Sequence, residues 1–290
     1  MQQAGDQGPP VLFVCTTCGT QYAASETPPS RCLLCEEEGR ATPVARPAWT
    51  TLDDIKRRHE NIVYRLEQDL YCIRTMPAFP MGHRAMLLRS SGGGILWDCI
   101  TLVDDTTVGL VHALGGLSAI GVSHPRHCAS VVEWSHVFGG IPVYVHATGR
   151  RWMMRPDPVV RFWTGERLRL HDDVTLSYCG GDDGGTVLHW PAGAGGRGAL
   201  LTGDVVQVVE DAARVSFLSS SSTLIPRSAR AVERLVRAID SYVYRRLYDG
   251  SPDRVIADNA RDVVARSAER YLAAVSGRND QRHLFIRQRA

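Results

Sequence analysis

The sequence predicts a layered α/β protein preceded by a small cysteine-bound module. Three observations carry that prediction. Two Cys-x2-Cys pairs stand near the start, short apolar strands interrupted by two helices run from residue 73 onward, and two further helices follow toward the end. Such helices have an apolar stripe to bury, and a sheet face is the natural place to bury it.

Taken in order, residues 11–15 read as a short strand entering the first knuckle, Cys15 and Cys18. A loop over 19–31 leads to the second, Cys32 and Cys35, and the Pro- and Ala-rich stretch 41–50 reads as a linker. Two knuckles of this spacing present four thiolates to one tetrahedral ion, and zinc accepts such soft coordination without redox demand. Thr51 followed by Asp54 is a helix-start signature, which predicts a helix over 51–66. Residues 85–89 and 94–100 flank the turn 90–93 and predict a hairpin. A helix over 107–114 is closed by Gly115-Gly116. A buried strand over 119–123 ends at His124-Pro125, a helix covers 131–137, and a strand covers 142–146.

Further strands are predicted at 167–170, 174–178, 186–190, 199–202 and 214–218. A long helix then carries Val232, Leu235, Val236 and Ile239 on one stripe, and a last helix spans 259–275. This sets the expected domains as 1–45, ribbon and linker, and 46–290, the main body.

Composition narrows the function classes. Formal charge is +2, from 33 basic and 31 acidic residues that are mostly interspersed, so no basic field for a nucleic-acid backbone is expected. No apolar run reaches about 18 residues, so no membrane span is expected. Residues 1–10 are polar and lack the pattern of a secretory signal. Four of the eight cysteines are committed to the ribbon, and Cys72, Cys99, Cys128 and Cys179 lie far apart, which points to a reducing cytoplasm. The expected partner is a small-molecule ligand, with oligomeric state open.

Polar motifs fall at predicted strand ends, where α/β folds gather their functional groups. They are residues 123–128 (Ser-His-Pro-Arg-His-Cys), the glycine-rich loop 179–185 with Asp182 and Asp183, Thr202-Gly203-Asp204, and His146. From the residues alone these form either a metal site or a set of satisfied structural histidines and turn-capping aspartates. His83, His112 and His136 show no convergent partner and read as surface or packing residues. Trp152, Trp163 and Trp190 are candidates to line a pocket, with core packing the simpler role, and Trp97 reads as core.

Residues 94–100 (Gly-Ile-Leu-Trp-Asp-Cys-Ile), Ala113-Leu114-Gly115-Gly116-Leu117, Ser123-His124-Pro125, Leu188-His189-Trp190 and Leu201-Thr202-Gly203-Asp204 together resemble the metallo-β-lactamase fold superfamily. The nearest group in that resemblance consists of uncharacterised hydrolase-like proteins with an N-terminal cysteine ribbon. The resemblance implies a four-layer αββα sandwich, with metal at the sheet edges activating water. His124 then matches the first ligand and Asp204 the bridging aspartate. Arg126 stands at the second ligand position, Asp182 replaces the histidine of a Gly-Gly-His loop, and Cys128 falls where an aspartate often sits. Ser221-Ser222-Thr223 stands where relatives tend to carry Tyr-Pro-Asn.

A guanidinium stays protonated and offers no lone pair, so Arg126 cannot ligate and repels a divalent cation. Two readings follow. In one, Arg126 and Asp182 form a bidentate pair in an altered, metal-free and inactive site, leaving the cysteine ribbon with the only zinc. In the other, His124, Asp182 and Asp204, helped by His127 or Cys128, assemble a rearranged mononuclear site. That site would hydrolyse a small ester, lactone, amide or thioester. A nucleic-acid-processing role is disfavoured by the charge balance.

Overall fold

The computed structural model describes residues 9–37, 39, 48–181, 184–220 and 224–277. These form two compact units, one comprising the described residues up to 144 with 151–161, the other 145–150 with the described residues from 162 onward.

A seven-stranded sheet runs in the order Glu60–Glu67, Leu70–Met76, Arg84–Leu88, Gly94–Trp97, Leu117–Gly121, Val143–His146, Val160–Trp163. The predicted hairpin is present, with Met86 opposite Trp97 and Leu88 opposite Ile95. Beyond it the pairing turns parallel, because the helix Asp105–Ala113 crosses back between Gly94–Trp97 and Leu117–Gly121. That helix is capped by Asp104, whose carboxylate accepts the Thr107 amide at 2.8 Å. The helix Val131–Val137 matches the predicted range. It is tied down by Trp134, which donates from Nε1 to the Ile100 carbonyl at 3.0 Å.

The segment after Thr51 differs from expectation. The helix starting at Thr51 stops at Lys56, and Glu60–Glu67 is a strand. The cap itself is real, since Thr51 Oγ1 accepts the Asp54 amide at 3.2 Å. Pairing along almost the whole length of Leu70–Met76 then outweighs the local helical preference, a tertiary override of a weak propensity.

A six-stranded sheet has the order Arg167–Arg169, Thr175–Tyr178, Thr186–Trp190, Ala199–Gly203, Arg246–Asp249, Val255–Ile256. Arg246–Asp249 lies parallel to Ala199–Gly203 and fills a place that no sequence pattern indicated. The helices Ala229–Asp240 and Ala260–Val275 pack against each other and cover this sheet, burying Val232, Leu235, Ile239, Val263, Val264 and Ala268 with Phe217 and Leu247. The predicted stripe is therefore the buried face.

The N-terminal residues belong to the first unit and are sewn onto it. Val14–Cys15 pairs with Trp49–Thr50, and Val14 packs with Ile55 and Leu102. The Gln21 amide donates to the Ala129 carbonyl at 3.1 Å, and Ala23 to Met154 at 3.1 Å. Arg155 bridges Gln21 and Glu133. Among the described residues no helix is long and apolar enough to cross a membrane.

Candidate functional sites

The ribbon is the best-formed site. The Gly19 amide donates to the Cys15 carbonyl at 2.8 Å and the Cys15 amide to Thr20 at 3.0 Å, closing the first knuckle. Cys32 precedes the short helix Leu33–Glu37, which contributes Cys35. All four sulfurs lie within 4.8 Å of one another, with Cys15 and Cys35 3.8 Å apart and Cys18 and Cys32 3.6 Å apart. Four thiolates held at about 2.3 Å from one ion stand about 3.8 Å apart along the tetrahedron edges. A disulfide would bring two sulfurs to about 2.05 Å. The donor set and spacing therefore fit a tetrahedral ion.

Outer contacts orient the ligands. The Tyr22 hydroxyl donates to Cys32 Sγ at 3.3 Å and accepts the Leu33 amide at 3.0 Å. Tyr22, Trp49, Trp152 and Met154 pack around the cluster. Trp152 thus belongs to the ribbon's shell and not to a catalytic pocket. Crowding also drives the thiols' proton affinities apart. Hydrogen bonds from Cys18, Cys32 and Cys35 hold Cys15 below the usual thiol range, while Cys15 pushes Cys18 and Cys35 up.

The second candidate is the turn after Leu117–Gly121. Pro125–His127 forms a single 3-10 turn with His124 as its cap, and His124 Nδ1 accepts the Arg126 amide at 3.2 Å. Proline at the first position suits such a turn, because its missing amide would have no partner there anyway. His124, Arg126, His127 and Cys128 are all buried, Arg126 with only 4% of its surface exposed.

Beneath them lies Asp98, fully buried and in the left-handed region at φ 60°. It accepts the Ser123 amide at 2.7 Å and hydroxyl at 2.9 Å, and stands 3.8 Å from His127 Nδ1. His83 lies against the His127 ring with centroids 4.5 Å apart, so it has a partner that the sequence did not suggest. His136 likewise pairs with Asp157 at 3.3 Å, and His112 packs on Phe138. Burial, and then the charge of Asp98, pushes the Cys128 thiol up to about 12, so Cys128 is a protonated packing group.

Sequence reasoning missed Asp98 because residues 94–100 read as one continuous apolar strand. The strand ends at Trp97, and the turn there aims the carboxylate inward. An acid directly after an apolar strand was the signal available.

In the second unit Asp204 follows Ala199–Gly203 and is 9% exposed. Its turn is held by Thr202, whose carbonyl accepts the Val205 amide at 2.9 Å and whose hydroxyl donates to Val206 at 2.7 Å. Asp249 ends the neighbouring parallel strand, opposite Gly203. It is buried and accepts the Val208 and Ser251 amides, each at 2.8 Å, so it knits two loops together. Sequence reasoning missed Asp249 along with its strand. Asp182, its pairing with Arg126, residues 221–223 and most of the linker lie outside the described residues.

His146 is structural. Its Nε2 is 3.2 Å from the Gly165 carbonyl and its Nδ1 2.8 Å from the Thr148 hydroxyl, which fixes Nε2 as the protonated nitrogen and Nδ1 as an acceptor. Burial holds its pKa below the ordinary histidine range. Its ring stacks on Tyr178 at 3.9 Å and meets Trp163 edge-on at 4.6 Å.

The fold recurs in solved proteins. The DIM-1 metallo-β-lactamase superposes with a TM-score of 0.54 at 14% identity, covering 74% of this chain and 98% of that one. A B3 metallo-β-lactamase with an active-site glutamic acid superposes with 0.53 at 18% identity, covering 82% and 98%. A metallo-β-lactamase from Pontibacter korlensis gives 0.52 at 11%, covering 73% and 99%. The protein therefore has the metallo-β-lactamase fold, as the resemblance implied, with a four-cysteine cluster near its N-terminus. No family model matches the sequence. The chain is 39% identical over 267 residues to the uncharacterized protein YmaE of Bacillus subtilis (strain 168), spanning 91% of this chain and 97% of that protein. It belongs to the family of YmaE.

Proposed function

We propose that this is a metallo-β-lactamase-like protein that keeps a structural zinc in its ribbon and has lost the metal and the activity of its hydrolase-like site. The observation that carries this reading is Arg126, buried in the turn where the fold family places a metal-ligating histidine. A buried guanidinium supplies no lone pair and puts a permanent positive charge beside His124. His124 in turn uses Nδ1 to cap its own turn.

Zinc is proposed for the ribbon because four thiolates near tetrahedral spacing match its preference, and the closed set leaves no open position for substrate. Bound there, the ion contributes folding energy; Cys15, Cys18, Cys32 and Cys35 are its ligands. Residues 1–45 then act as a ribbon module serving a lactamase-like body, 46–290. Because Gln21 grips Ala129, one residue beyond Cys128, the zinc braces the turn that carries His124 and Arg126. Four thiols kept as ligands and four more buried and free accord with a reducing cytoplasm. The near-balanced charge accords with a small-molecule ligand in preference to nucleic acid or a membrane.

The hydrolase alternative draws on Asp204, presented in a tight turn at a strand end, where with His124 and Asp182 it would hold one metal. Such a metal would supply activated water. Metal stoichiometry of protein purified without added chelator or metal separates the two. One zinc per chain, lost in Cys15→Ser or Cys32→Ser, supports the ribbon-only reading. Two or more, with the surplus lost in Asp204→Ala, overturns it in favour of the hydrolase.

A further inference from the structure

The second unit contains a cavity of about 570 Å³ whose walls include Arg167, Arg234, Arg237, Glu166, Tyr178 and His146. Its volume is that of a small-molecule site. Among the described residues its lining carries three arginines and one glutamate, in a chain whose overall charge is almost balanced. Like charges gathered around a hollow repel each other, and an anion between them relieves that repulsion.

The arginines are arranged and not merely nearby. Arg167 lies over the Tyr242 ring, 4.9 Å from its centroid, and donates from Nη2 to the Ser241 hydroxyl at 2.7 Å. Arg234 and Arg237 stand three apart on Ala229–Asp240, so one helix face delivers both. Among the described residues neither is paired with a carboxylate. The stem of Arg234 occupies the place of a missing side chain: a Cβ on Gly180, itself at φ 93°, would meet Arg234 Cδ at 2.4 Å. Glycine there lets the arginine cross the loop toward the cavity. The aromatic side is equally fixed, because Tyr178 is stacked on His146 and donates its hydroxyl to the Gly181 carbonyl at 2.8 Å.

We infer that this cavity binds a phosphorylated small molecule, with Arg234 and Arg237 gripping the phosphate and Arg167 supporting it. A phosphate monoester carries between one and two negative charges at neutral pH and three acceptor oxygens, which suits several guanidinium forks at once. A lone carboxylate has one charge and two oxygens and leaves donors unused. The site lies apart from His124 and its turn in the sequence and stands whether or not that turn is catalytic.

Calorimetric titration of the full chain with inorganic phosphate, pyrophosphate and citrate, at fixed low ionic strength, tests the inference. Saturable binding of pyrophosphate is expected, weakened about tenfold in Arg234→Gln and in Arg237→Gln, since each loses a charge-assisted contact. Gly180→Ala is expected to weaken it too, by displacing Arg234 without removing a charge. Arg266→Gln, on the exposed side of Ala260–Val275, keeps the affinity of the unaltered protein. Circular dichroism of each variant confirms folding. No binding to the unaltered protein, equal loss in Arg266→Gln, or citrate bound as tightly as pyrophosphate overturns the inference.

Discussion

Replacing Gly19 with alanine tests how the ribbon is fastened to the first unit. Gly19 sits at φ 77°, in the left-handed region, where a Cβ costs about 1–2 kcal/mol. The added carbon would fall 2.4 Å from Thr101 Oγ1 and 2.8 Å from Pro80 Cδ. The proline ring cannot rotate away, so overpacking adds about 1–3 kcal/mol. The threonine can yield only by giving up its 2.9 Å hydrogen bond to the Gly19 carbonyl, worth about 1 kcal/mol. Together these predict a loss of about 3–6 kcal/mol, a large share of the roughly 5–15 kcal/mol that holds a typical protein folded. Gly109 is the control. It lies within the helix Asp105–Ala113, and nothing stands within 4 Å of its Cβ position, so Gly109→Ala should gain about 0.5–1 kcal/mol. Urea denaturation of both variants reads the difference. If Gly19→Ala lies within about 1 kcal/mol of the unaltered protein, the tight seating of the ribbon argued above is wrong.

Two further outcomes follow from burial. The thiols of Cys128 and Cys179 are pushed up to about 12 and those of Cys72 and Cys99 are also raised, mainly by burial. Native zinc-loaded protein should therefore show no rapidly reacting thiol toward a disulfide reagent at pH 8, and all eight after unfolding with chelator; two or more fast thiols in the native protein would contradict this. His189, stacked on Tyr242 at 4.2 Å and donating to the Val243 carbonyl at 2.9 Å, has its pKa lowered by burial, as does His146. The folded state then binds fewer protons than the unfolded one. Stability is full above the ordinary histidine value of about 6.5 and falls as pH drops below it, by at most about 1.4 kcal/mol per pH unit for each histidine. The stability-against-pH slope between pH 7.5 and 5.5 should be shallower in His189→Gln, and an unchanged slope would refute His189's part in it.

Much of this protein was legible in its sequence, and the illegible parts share a cause. The four cysteines declared their site because two short spacings confine the ligands locally, leaving the fold only to join two knuckles. The hairpin, the helix Val131–Val137 and the buried stripe of Ala229–Asp240 were readable because their periodicity is local too. Residues 60–67 misled because a helix cap says where a helix starts, while their strand state depends on pairing with Leu70–Met76 across a hairpin. Asp98, His83 and Asp249 were missed for the same reason. Each acquires its role from a neighbour distant in sequence, Ser123 and His127 for the first two and Val208 for the third.

By itself, then, the sequence determined the cysteine cluster, the α/β class and the presence of an arginine where a ligand is expected. Tertiary structure alone decided that Arg126 is buried, that His146 has both ring nitrogens engaged, and that three arginines meet around one cavity. Burial and convergence come from segments brought together by folding. No spacing along a single strand or helix encodes them.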